Sequence, residues 1–561
     1  MRCMYPAVLA SLMLSTVALS ETILVPLGED IQSAINSAST GDVVQLEAGT
    51  YELSVQLDMA GKAITLRGAQ GNGTSLTTID SSGSIRAIQC VGGETADTVI
   101  EGISFQTSEA SSGWAMVRIV SSSPTLRNCS FQSSNAGLVS SGEGSPVFES
   151  CIFMIGSMDG ISLMGGQPSF DDCRFTSNAS TSQAIVFESG SYAFHDCIFD
   201  DAGLYAYGDN ASEDGCGSFS FTFSGCEFGG TYAFMRLAPY CPDVSSLVLD
   251  ECVFSGIDGT MYSGVISTSM DDVIISDCVF TSNQGTILSP DGFNYSDVDL
   301  LLSGCVFSNN VGGINISSGR ASIIDCTFTS NAPSNGSVVS LDGGPGGFSG
   351  PPQVLIEGCT FAGNSGSFGG AIDSNNVLLT VRGCDLTDNS ASQSGGAISS
   401  SQKSFRLQDT RICGNTPDQI SGGYLDLGGN CIETICVNCP DVPECSDSDG
   451  DGVCDEDDAC PGEPDQDTDA DGVVDCLDEC PEDPAKVAFG RCGCGVVDTT
   501  ILGDFDCDGD FDQDDYLAMG KALGEDGCAG ESGCSGDLNN DGVVDGADLS
   551  IILSSWGVCD G

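Results

Sequence analysis

The sequence predicts a mainly-β solenoid, and three observations predict it. A phrase reading Cys-x-Phe, often with Asn three residues after the Phe, recurs along most of the chain, as in Cys173-Arg-Phe175-Thr-Ser-Asn178, Cys278-Val-Phe280-Thr-Ser-Asn283, Cys305-Val-Phe307-Ser-Asn-Asn310, Cys326-Thr-Phe328-Thr-Ser-Asn331 and Cys359-Thr-Phe361-Ala-Gly-Asn364. Looser copies sit at Cys129, Cys151, Cys197, Cys226, Cys252 and Cys384, with a last trace at Cys413, and successive cysteines lie 21 to 33 residues apart. Repeats of that length mean stacked units. Second, Cys and Phe are two apart among small and polar residues, so on a strand they share a face. Third, no repeat holds a helical run. One unit cannot bury its own Cys and Phe, whereas stacked copies bury them as ladders. The Asn is expected at a tight bend, where its side chain bonds its own main chain.

Residues 1–20 have the form of a secretory signal: Arg2, then an apolar run from Ala7 to Leu19 too short to span a bilayer, then Ala18-Leu-Ser20 before Glu21. No later segment is apolar enough to cross a membrane, so the protein is expected to be secreted or at a cell surface. Residues 21–415 are assigned to the solenoid. At its start Ile31, Ala34, Ile35 and Ala38 share one helical face. A short helix there would cover the open edge of the first coil, and Gly41-Asp42 ends it before the strand Val43–Leu46. The series Ile31-Gln-x-Ala-Ile, Gly41-Asp, Gly49-Thr-Tyr51 and Lys62-x-Ile-Thr-Leu66-x-Gly68 resembles the opening of pectate-lyase-like right-handed parallel β-helices. The Phe-x-x-Asn phrases, with Gly-Gly-Ala-Ile at 369–372 and 395–398, are similar to repeats of the chlamydial polymorphic outer-membrane proteins. These resemblances imply a right-handed parallel β-helix of roughly a dozen coils between residues 80 and 415, with long inserts such as Gly343–Gly347 thrown out from it.

The chain carries 30 cysteines, which in a secreted protein suggests disulfides. The cysteines of the repeating phrase are expected to pack as a buried ladder of small hydrophobes. Cys216 and Cys241 are the expected bridge within the solenoid, and the cluster from Cys431 to Cys494 is expected to be bridged. Residues 416–446 read as a Cys/Gly-rich hinge or cap whose pairings the sequence leaves open.

The chemistry then changes. Asp447, Asp449, Asp451, Asp455 and Asp458, with Gly452, fall at loop positions 1, 3, 5, 9, 12 and 6, and Val453 offers its carbonyl at position 7. Twenty residues on, Asp467, Asp469, Asp471, Val473, Asp475 and Asp478 repeat the pattern around Gly472. Oxygen ligands at these positions with glycine at the sharp turn are what a Ca²⁺ ion requires. Followed by Cys460-Pro461 and Cys480-Pro481, the stretch 447–485 resembles thrombospondin type 3 repeats. After a linker at 486–500, residues 501–561 hold two further loops. Asp504, Asp506, Asp508, Asp510, Asp512 and Asp515 lead into Tyr516–Leu523, and Asp537, Asn539, Asp541, Val543, Asp545 and Asp548 lead into Leu549–Trp556. Two loop-plus-helix units, each ending in Asp, resemble a dockerin, which implies a small α domain and a cohesin-like partner. Loop positions 10 and 11 differ between the halves, Gln513-Asp514 against Gly546-Ala547. That departure puts the cohesin partner, but not the calcium, in question.

The formal charge is −64, from 80 acids and 16 bases, and residues 447–561 hold 33 of the acids with 3 bases. Such a field repels nucleic acid and acidic membranes and attracts cations. A catalytic signature is not legible. The lone histidine, His195, makes no triad or zinc set. Asp171-Asp172, Asp200-Asp201 and Asp271-Asp272 are the acid pairs that inverting glycosidase chemistry would need, and solvated turns explain them equally. Arg174, Arg236, Arg320 and Arg382 stand in no lyase motif and read as surface charges. Two functions follow: a calcium-binding β-helix that binds an extracellular polysaccharide or surface glycan as an adhesion scaffold, or a polysaccharide lyase or glycoside hydrolase.

Overall fold

A computed structural model describes residues 20–439, apart from 72–73, 82–84, 108–114, 134–136, 138, 157–159, 178–182, 208–218, 232–233, 239–244, 262–263, 290–297, 318, 335, 344–350 and 402, and beyond 439 only residues 468, 480, 481, 483, 484 and 494. The chain divides into two units, Met1–Val442 and Pro443–Gly561.

The first unit opens with the helix Ile31–Ser37, as its apolar spacing predicts. Asp30 caps it by accepting the Gln32 N–H, and Ile31 and Ile35 are buried. Lys62 closes the other end, donating from Nζ to the carbonyls of Ile35, Asn36 and Ala38 at 2.9, 2.6 and 2.9 Å. These are the carbonyls a helix leaves unpaired.

From Thr22 onward every long pairing is parallel, each strand joining the one a coil later. The strands form three ribbons visited in turn. Ribbon A includes Val147–Glu149, Ser245–Asp250 and Gln353–Glu357. Ribbon B, sixteen strands, carries the Phe of each repeat. Ribbon C includes Ile161–Met164, Val339–Asp342 and Ile372–Asn375. One strand, Gln183–His195, runs from C into A without a break.

Inward residues form the expected ladders. Phe105, Phe131, Phe153, Phe175, Phe199, Phe228, Phe254, Phe280, Phe307, Phe328 and Phe361 stack with neighbouring centroids 4.5–5.4 Å apart. A second stack that the repeat phrase does not announce, Phe148–Phe170–Phe194–Phe223, stands on ribbon A at 4.7–4.8 Å. Parallel offset rings at these distances add about 1 kcal/mol per pair to the burial itself. The eleven ladder cysteines from Cys129 to Cys384 are buried and free, as is Cys90. Ten of the eleven, all but Cys278, lie within weak hydrogen-bond reach of two carbonyls, as Cys305 does with Ser303 at 3.2 Å and Ile275 at 3.5 Å. Burial pushes the thiols of Cys90, Cys151 and Cys359 up.

Three expectations are corrected. The bend is not made by the ladder asparagines. It is made by the residue before them, left-handed at Ser282, Asn309, Ser330 and Asp388 with φ of 54–57°. The asparagines themselves are buried and bond between coils. Asn310 donates from Nδ2 to the Phe280 carbonyl at 2.9 Å and to Asn331 Oδ1 at 3.0 Å, and its N–H reaches Asn331 Oδ1 at 3.0 Å. The same pattern links Asn283, Asn310, Asn331, Asn364, Asn389 and Asn415. Cys413 is not a ladder member. Thr410 holds that place, receiving the Cys384 N–H, and Cys413 bridges Cys436. Finally, the stretch expected as a hinge supplies a further coil, with Ile420–Ser421, Tyr424–Asp426 and Cys431–Glu433 in parallel register on the coil before. Its glycines take left-handed turns at Gly422, Gly428 and Gly429, and Cys431 bridges Cys439. In the second unit Cys480 bridges Cys494. Cys216 and Cys241, the signal segment and all 24 expected calcium ligands lie outside the described residues.

Candidate functional site

The turns from A to B are tight, and each residue before a ladder cysteine is left-handed: Asn128, Ser150, Asp172, Asp196, Glu251, Asp277 and Asp325 have φ of 49–52°. That disposes of two acid pairs. Asp172, and Asp201 at φ 55°, are bend residues, exposed or half-exposed. Asp271 accepts the Ser245 N–H and hydroxyl at 3.2 and 3.3 Å, bracing a turn. The strand arginines are mostly neutralised: Arg174 pairs with Asp200 at 3.0 Å, Arg320 with Asp299 at 3.0 Å, and Arg382 with Glu357. Arg236 lies over the Tyr205 ring, 5.3 Å from its centroid. His195 is exposed, its Nδ1 3.3 Å from Ser224 Oγ. None of these residues converges on another to form a reaction centre.

A different constellation emerges on ribbon C. One column reads Ser267, Ser289, Asn315, Ser340, Asp373, Ser399 and Ser421, one residue per coil; Ser267 and Ser399 are buried, Asn315 is exposed and the others are half-buried. Beside it, Asn375 donates from Nδ2 to Asp342 Oδ1 at 3.0 Å, and the Ser401 hydroxyl donates to Asn375 Oδ1 at 3.0 Å. Asp373 lies opposite Ser340, and Asp342 opposite Asn375. The two carboxylates are therefore diagonal neighbours on adjacent coils, with Cα atoms about 8 Å apart from the spacing of strands and residues. Burial pushes the Asp373 carboxyl above its ordinary value; the nearby Asp342 charge adds to that, and the Ser399 hydroxyl opposes it.

The strands Ser365–Phe368 and Ser390–Ser394 run between ribbons B and C on these coils and pair with each other. They hand over to ribbon C through the two Gly-Gly-Ala-Ile phrases. A side chain at Gly370 would sit 2.2 Å from the Gly396 carbonyl, so the second glycine of each phrase is set by close backbone approach. Asp342 and Asp373 were absent from the sequence-level candidates. Their signal is positional: they emerge only when Val339–Asp342, Ile372–Asn375 and Ile398–Ser401 are aligned by coil. Among the described residues no cluster of three or more His, Cys, Asp or Glu has metal-holding geometry, and no helix is long and apolar enough to cross a membrane.

Three comparable solved structures are the catalytic domain of a GH87 α-1,3-glucanase in complex with nigerose, tailspike protein 3 of bacteriophage CBA120, and a mannuronic acid specific polysaccharide family 6 lyase from human gut microbiota. The glucanase is 10% identical with a TM-score of 0.30, the match covering 73% of this chain and 69% of that one. For the tailspike the values are 12%, 0.30, 74% and 61%, and for the lyase 11%, 0.25, 73% and 85%. No curated protein matches the chain. The family model described as the right handed beta helix region matches residues 63–228 and 240–432, more than half of the sequence. On the parallel coils, the three ribbons and this match, the chain belongs to the right-handed β-helix family.

Proposed function

We propose that the protein is a secreted, calcium-binding β-helix that holds an extracellular glycan along ribbon C, with residues 501–561 serving as an attachment module. The observation that supports it is the polar column Ser289, Asn315, Ser340 and Asp373, joined by Asp342, Asn375 and Ser401. Sugars are held by just such short polar side chains, which donate and accept on one rigid surface. The loops at 447–485 and 501–561 supply the calcium ligands, and a cohesin-like protein is the partner their form suggests. The test is retention of the calcium-loaded protein on immobilised pectate, alginate and neutral glycans. Wild type is expected to be retained on one of them, and Asn375→Ala with Ser401→Ala to lose retention at least tenfold. Equal retention of the double variant overturns the ribbon C assignment.

A second reading, glycoside hydrolysis, is favoured by one specific observation. Asp373, its carboxyl raised by burial and beside the Asp342 charge, has the environment of a general acid, and Asp342 is the second carboxylate, placed diagonally to it on the adjacent coil. Inversion needs about 6.5–9.5 Å between the two carboxyl groups, and a diagonal pair on adjacent coils is the placement that could supply it. New reducing ends released by wild type, and lost in both Asp373→Asn and Asp342→Asn, would establish it. Reducing ends that persist in both variants would exclude this pair.

A further inference from the structure

As a rule the arginines on the described strands meet a carboxylate on an adjacent coil, six of the nine doing so. Arg67 and Arg127 flank Glu101 in register, Arg320 faces Asp299, Arg382 faces Glu357, and Arg411 faces Asp385. Arg174 reaches Asp200 diagonally. The rule has a physical reason: with a net charge of −64, carboxylates are the abundant partners. Arg406 breaks it. Its register neighbours are Thr380 and Leu425, and among the described residues it makes no ion pair. The carboxylate one place along, Asp426, already accepts the Gly428 N–H at 2.9 Å and Asn430 Nδ2 at 2.7 Å. Arg118 and Arg236 also lack a facing acid in register, but neither lines this concavity.

Arg406 stands at the rim of an open concavity of about 370 Å³ on the outer side of ribbon A. Arg320 stands at its other end, fixed by Asp299 through two hydrogen bonds of 3.0 and 3.2 Å. Between them lie Leu355, Leu378, Thr380 and Ser404. Leu378 is 50% exposed. The combination is a guanidinium with unfilled donors, a leucine floor and flanking hydroxyls, in a space that suits one sugar ring. A guanidinium presents a planar fork to a carboxylate, and the leucines match the C–H face of a pyranose.

We propose that this concavity is a binding site for a carboxylate-bearing sugar ring, a hexuronate unit, with Arg406 taking the carboxylate and Leu355 and Leu378 the ring. The site lies on ribbon A and does not depend on the ribbon C reading. It is tested by titrating the full-length, calcium-loaded protein with D-glucuronate, D-glucose and acetate, followed by saturation-transfer NMR and calorimetry. Glucuronate is expected to bind at least tenfold more tightly than glucose or acetate. Arg406→Gln should remove that preference, Leu378→Ser should weaken glucuronate several-fold, and Arg174→Gln, on ribbon B, should leave it unchanged. Arg406 is exposed, so the variant should keep the wild-type circular dichroism and melting curve. Arg406→Lys, which keeps the charge but not the fork, should retain part of the affinity. Equal binding of glucose and glucuronate, acetate matching glucuronate, or undiminished binding in Arg406→Gln would each overturn the proposal.

Discussion

A buried amide is expensive unless every polar atom is met, and the asparagine ladder meets each by borrowing from the coil on either side. Asn331 Oδ1 receives two donors from Asn310, while its Nδ2 gives to Phe307 and Asn364. Removing one rung leaves donors and acceptors of two other residues buried and unpaired. Asn331→Ala is therefore expected to cost about 2–4 kcal/mol, read as a lowered urea midpoint. A change under about 0.5 kcal/mol, as at an ordinary surface site, would refute this account of the ladder. Asp373 makes a pH prediction. Its carboxyl is raised in the folded state, so its contribution is complete below the ordinary value of 3.8 and is lost as pH rises through the folded value. Comparing urea midpoints at about pH 4 and about pH 7, Asp373→Asn should show a smaller fall than wild type. An identical fall would place the pH dependence elsewhere.

Elements in a solenoid touch only their neighbours, so damage stays local. The final coil is tied back by Cys413–Cys436, closing 23 residues, and by Cys431–Cys439, closing 8. A loop of the first size is worth about 3 kcal/mol in chain entropy. Cys436→Ser is expected to raise amide exchange from Ile420 to Cys439 while the coils around Phe254 and Phe307 keep their protection. Faster exchange through the whole rod would show instead that the cap holds global stability. The ladder thiols are the opposite case: stacked coil by coil, yet free and walled from solvent. A thiol-specific reagent should leave the twelve described free cysteines unlabelled in the native protein and label them all in denaturant. Labelling of Cys278 or Cys305 under native conditions would mean that the ladder opens.

At the scale of the molecule, charge dominates. About half of the net −64 is concentrated in residues 447–561, a stretch with four loops of calcium-ligand spacing. Calcium is expected to supply its folding energy. Adding EDTA should unfold that stretch and spare the rod, seen as loss of its transition from the circular dichroism melt with the β transition unmoved. A C-terminal fragment whose spectrum ignores EDTA would sink the assignment.

The sequence by itself determined the solenoid, its repeat length, the helix at its start and the inward Cys and Phe, because period-2 alternation and a repeating phrase are local properties that stacking simply multiplies. It also supplied the right residues for the bends and amides, but with their roles exchanged. Whether Asn309 or Asn310 turns the chain depends on which side chain the next coil receives. The extra coil through Glu433 was hidden for the same reason: its strands are two and three residues long and acquire their form from the coil beneath. What only the tertiary structure decided is juxtaposition across coils: Asp342 beside Asp373, 31 positions apart in the chain, and Arg406 facing Thr380 rather than an acid. Coils of unequal length carry no fixed sequence offset, so residues stacked as neighbours in space leave no mark in the sequence until the register of the strands is known.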